Sequence, residues 1–99
     1  MTVLDSFIEE MLQPEMPKTA FIEKLIHALT VQRPPRFEIP APPYTFESNL
    51  HGLQYDYVRR EVRLVYKVVP SIYADTVLPF TTFRVILEGL AVCIRMQKW

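Results

Sequence analysis

The chain has 99 residues, 49% of them hydrophobic and 12% aromatic, with eleven Lys/Arg against eleven Asp/Glu. That length supports one domain with a single core of modest stability margin, and the apolar content excludes a chain disordered by composition. Formal neutrality argues against an unaided nucleic-acid binder, which needs a clear basic excess.

The charge is nevertheless segregated. Residues 1–16 carry Asp5, Glu9, Glu10 and Glu15 with no base, a net −4, so residues 17–99 hold eleven bases against seven acids, a net +4. Within that acidic start, Val3, Leu4, Phe7, Ile8, Met11 and Leu12 recur at helical spacing and predict a helix with one apolar stripe. Thr2 followed by Asp5 has the spacing of a capping box, and Pro14 ends the segment. Pro17 suits the first position of a second helix, with Phe21, Ile22, Leu25, Ile26 and Leu29 as its stripe. So short a connection predicts a helical hairpin over residues 1–32, stopped where Arg33 precedes Pro34.

Residues 33–43 contain five of the nine prolines and read as an extended connector. Residues 44–99 form the strand-rich half. Its longest alternating run is 53–69, where Val62, Leu64, Tyr66 and Val68 share one face, and Glu61, Arg63 and Lys67 lie between them. Leu53, Tyr55 and Tyr57 alternate in the opposite phase, and a regular strand cannot bury both sets on one side. Either a bulge at Arg59–Arg60 resets the phase, or two strands meet at a short corner. The two glycines, Gly52 and Gly89, each separate alternating runs and are read as turn positions needing positive φ.

Two readings compete for the C-terminal stretch. A hairpin turning at Gly89 puts Phe83, Val85, Leu87, Leu90, Val92 and Ile94 on one face, with Arg84, Ile86, Ala91, Cys93 and Arg95 on the other. A helix capped by Thr81, with Phe80 and Val85 as a hydrophobic staple, gives Phe83, Ile86, Leu87, Leu90 and Ile94 a common stripe at the cost of an internal glycine. The hairpin is taken first. Both give the same α+β class: an N-terminal helical hairpin packed on a small antiparallel sheet, within one domain.

No phosphate-binding glycine loop is present. Glu23 and His27 share a helix face at i, i+4 spacing, but two residues do not make a metal site, and His51 lies in an expected turn. Cys93, the single cysteine, has apolar neighbours and reads as a small core residue or an inert thiol on a sheet face. Glu9 and Glu10 read as solvated surface and not as an acid–base pair. Catalysis, metal and cofactor are therefore not expected. One cysteine excludes an internal disulfide and suggests a reducing, cytoplasmic setting. The acidic start lacks a secretory n-region. The most apolar window, residues 76–94, contains Pro79, Arg84 and Glu88 and is no ordinary transmembrane helix.

Arg59, Arg60, Arg63 and Lys67, joined by Arg84 and Arg95 in the hairpin reading, would make a basic sheet face on which Tyr55, Tyr57 or Tyr73 could stack bases of a single strand, or which could meet an anionic membrane surface. Pro40 and Pro43 form a P-x-x-P docking segment, but its flanking base is offset and Tyr44 directly follows Pro43, so P-P-x-Y is missed. Ala41–Pro42–Pro43–Tyr44, then E-V-R-L-V-Y-K-V at 61–68, then P-F-T-T at 79–82, resembles in order the N-terminal part of some rhabdovirus matrix proteins over about half of the chain. The resemblance implies a viral structural or accessory role. The apolar supply is large for so small a sheet, and it predicts a protein partner or a homo-oligomer, with Trp99, Ile86, Val65 and Val69 as interface candidates. The expectation is thus a non-enzymatic protein–protein interaction or self-assembling protein, the alternative being single-stranded nucleic-acid or anionic-surface binding.

Overall fold

The computed structural model describes residues 2–13, 18–30, 44–69 and 71–96. Helix α1 (Val3–Met11) and helix α2 (Thr19–Leu29) precede a four-stranded sheet of β1 (Tyr44–Glu47), β2 (His51–Asp56), β3 (Glu61–Tyr66) and β4 (Thr76–Pro79), and helix α3 (Phe80–Met96) closes the chain. The strands pair in sequence order, each antiparallel to the next. The class is α+β, with all three helices contributing to one core against one face of the sheet.

α1 starts as its first residues dictate. Thr2 Oγ1 accepts from the Asp5 N–H at 3.2 Å, and Asp5 Oδ2 accepts from the Thr2 N–H at 3.0 Å, which completes the capping box. The Thr2 amide and, second to it, the Thr2 hydroxyl, which donates to Asp5 Oδ2 at 3.0 Å, hold the Asp5 carboxyl below its ordinary value. Phe7 and Met11 are fully buried. α1 lies over β3, and α2 packs chiefly along α3. The two N-terminal helices therefore share the core without being each other's main partners.

The phase conflict within 53–69 resolves as two strands and a corner. Leu53 faces Leu64 and Tyr55 faces Val62 across the ladder, so odd positions of β2 and even positions of β3 point inward together. Residues 57–60 make the turn. Asp56 Oδ1 accepts from the Val58 and Arg59 amides (3.0 and 3.1 Å), and Arg60 takes the left-handed conformation at φ 57°. Gly52 is not a turn residue: it pairs within β2, no glycine has positive φ, and a Cβ there would come within 3.0 Å of Val65 Cγ2. Close packing of neighbouring strands, and not chain reversal, explains that glycine.

The C-terminal stretch is a helix, which corrects the preference for a hairpin. Pro79 of β4 leads directly into α3, where Phe80, Phe83, Leu87, Leu90, Ala91 and Ile94 are buried at helical spacing. Two sets of apolar residues lie in this stretch, one at each period. The helical set closes the core against α2 and the sheet, and that burial outweighs the cost of an internal glycine. Val85 and Val92, which the hairpin sets on one face with Phe83 and Leu87, are exposed. Cys93 is likewise an exposed helix residue and neither core nor sheet face. Among the described residues, a Cβ on Gly89 would meet no other part of the chain within 4 Å. Gly89→Ala is therefore expected to stabilise the monomer by about 0.5–1 kcal/mol, read from the denaturation midpoint at low protein concentration.

Candidate functional site

The six cations do not form one face. Arg63 and Lys67 lie on the open side of the sheet, and each has a carboxylate: Arg63 Nη1 is 3.4 Å from Asp75 Oδ2, and Lys67 Nζ is 3.5 Å from Glu47 Oε2. Arg59 and Arg60 belong to the β2–β3 turn, with the Arg60 guanidinium 4.8 Å from the centre of the Phe80 ring. Arg84 and Arg95 are on α3, where Arg84 Nε meets Glu88 Oε1 at 2.8 Å. A shallow depression of about 350 Å³ on the open sheet face is lined by Asp56 and Glu61 as well as Arg59 and Arg63, so it offers both signs of charge.

The tyrosines expected to stack bases face the helices. Tyr55 is fully buried and its hydroxyl donates to the Leu25 carbonyl at 3.0 Å. Burial, and secondarily Tyr57, pushes its phenol far above the ordinary range. Tyr57 donates to the Ala28 carbonyl at 2.8 Å, and Tyr73 packs edge-on against Tyr66. Among the interface candidates, Val65 is half-buried beside Gly52, Val69 is exposed, and Ile86 packs partly on the core. Trp99, Pro40 and Pro43 lie outside the described residues, as does the side chain of Tyr44.

The polar cluster that does form was not anticipated. Glu10 and His51, read from sequence as surface and turn, are 3% and 0% exposed, with His51 Nδ1 2.6 Å from Glu10 Oε1. Ser48 Oγ donates to the same oxygen at 2.6 Å, and His51 Nε2 lies 3.1 Å from Ser6 Oγ. Burial raises the Glu10 carboxyl. The Ser48 and His51 hydrogen bonds, the attraction of His51 and the Leu50 amide outweigh it, so the net shift is downward. An ionised carboxylate only accepts, so His51 carries its proton on Nδ1.

Serine, histidine and carboxylate stand here in the order of a nucleophilic relay. Acyl transfer also needs donors facing a developing oxyanion. The Ser6 amide instead donates to the Thr2 carbonyl at 3.1 Å inside α1. What the geometry supports is a buried clamp joining α1 to the β1–β2 connection. Because the folded Glu10 value lies below the ordinary 4.5, the clamp's contribution is complete above that pH and is lost as pH falls through the folded value. The urea midpoint should therefore drop with acid below pH 4.5. Asp5 adds in the same direction, so the Glu10 share is the part of the slope that Glu10→Gln removes.

The remaining feature is apolar. Val85, Val92 and Met96 are 72%, 48% and 65% exposed on the side of α3 turned away from the core. Val68, Val69 and Ile72 are also exposed in the β3–β4 connection. Among the described residues no helix is long and apolar enough to cross a membrane, and no group of three or more metal-ligating side chains occurs. Comparison with protein-family models, curated proteins and solved structures found no match.

Proposed function

We propose that this is a small non-enzymatic protein that acts through contacts with other protein chains, its own copies included, in a structural or accessory role. The observation that carries the reading is the outward side of α3, a second apolar stripe on a helix whose first stripe already fills the core. Helices of one domain normally turn a polar face to water, and a contiguous apolar patch marks a contact site. The resemblance to matrix proteins adds a viral setting, and the exposed thiol of Cys93 fits a reducing, intracellular one.

The nucleic-acid alternative has less support, since Tyr55 and Tyr57 bond to α2 and the sheet-face cations have carboxylate partners. Light scattering tests the reading. A mass above 11.6 kDa that falls on dilution is expected. A monomeric mass over an about hundredfold concentration range would count against self-association.

A further inference from the structure

We infer that α3 is the seam of a two-fold homodimer, lying antiparallel against α3 of a second copy. This rests on the self-association proposed above and adds the surface, the partner and the direction.

Val85, Gly89, Val92 and Met96 are spaced four, three and four residues apart, the a/d rhythm of a helix-to-helix seam. They run along α3 opposite its buried side, which Phe83, Leu87, Leu90 and Ile94 define. Gly89 sits inside a 17-residue helix where a Cβ would meet no other element within 4 Å among the described residues, so packing within the described fold gives no reason for it. In the seam it leaves a hole. A two-fold axis between Gly89 and Val92 sets Gly89 opposite the partner's Val92, and Val85 opposite the partner's Met96. A small residue then faces a larger one in each layer, as interdigitated packing requires.

Charge selects both the partner and the direction. Glu88 and Arg95 flank one edge of the seam, while Ile86 and Cys93 flank the other. An antiparallel pair brings like edges together, so Glu88 approaches the partner's Arg95 and the reciprocal pair forms by symmetry. A parallel pair would set that charged edge against Ile86 and Cys93. Among the described residues Glu88 meets Arg84, a half-exposed i, i+4 contact made through one carboxylate oxygen.

The test uses the full chain and two exposed substitutions, E88R and R95E, with helix content checked by circular dichroism. In the antiparallel seam each variant alone opposes like charges twice and should weaken self-association by about tenfold or more. An equimolar mixture of the two restores both opposed pairs and should recover a heterodimer at the wild-type concentration. If the wild type associates and neither substitution weakens it, the seam lies elsewhere and self-association survives. If both weaken it and the mixture does not recover, the antiparallel direction is overturned. A wild type that is monomeric throughout removes this inference together with the reading it rests on.

Discussion

Replacing His51 by alanine is expected to destabilise the fold by about 3 kcal/mol, the order of cost of leaving a buried carboxylate without a donor it depends on. Glu10 would keep its Ser48 bond but lose the 2.6 Å contact that compensates its burial. Its other oxygen, Oε2, already lacks a hydrogen-bond partner of regular geometry. The loss of the ring adds to this, since His51 packs edge-on against Phe7 at 5.7 Å and beside Tyr66 at 5.4 Å. Removing both polar groups should cost far less than the sum of the single losses, because no orphaned carboxylate remains. Urea unfolding of the wild type, His51→Ala, Glu10→Ala and the double variant gives the coupling directly. A His51→Ala cost below about 1 kcal/mol would mean the clamp contributes little to the fold.

Phe83→Ala is the other large loss, about 3–5 kcal/mol. The ring is fully buried where α1, the sheet and α3 meet, 5.9 Å from Phe7 and edge-on to Tyr55 at 6.3 Å. Its removal leaves a void that the surrounding rings cannot fill without leaving their rotamers. Val85 provides the contrast. In a hairpin it would share a face with Phe83, but on α3 it is 72% exposed, so Val85→Ala should change monomer stability by no more than about 0.5 kcal/mol. Similar losses at the two positions would favour the hairpin geometry.

Local features were legible in the sequence because local interactions decide them. The capping box at Thr2 and Asp5 and the apolar stripes of α1 and α2 follow from neighbours within one turn. The β2–β3 corner was legible as a phase conflict, and the Asp56 side chain resolved it. The C-terminal segment was not, because its apolar residues satisfy periods of 2 and 3.6 at once, and only the need to cover the sheet and α2 selects between them. Gly52 misled for a similar reason: a glycine between alternating runs suggests a turn, whereas here a Cβ would crowd the Val65 side chain of the neighbouring strand at 3.0 Å. The Glu10–His51 pair spans 41 residues, and both residue types are usually solvated. No pattern along the chain joins them. The six cations are spread over three elements, Arg84 and Arg95 on α3, Arg59 and Arg60 in the β2–β3 turn, and Arg63 and Lys67 on the open sheet face, a distribution that alternation along the chain does not reveal.

The proposed role requires that the outward side of α3 be covered by another protein chain. A concentration series of amide spectra on the labelled protein tests it most directly. Shifts should grow with concentration at residues 85, 89, 92 and 96 while those at residues 54, 61 and 63 on the open sheet face stay fixed. Shifts confined to the sheet face, or none at any concentration with α3 unchanged by added partner proteins, would contradict it.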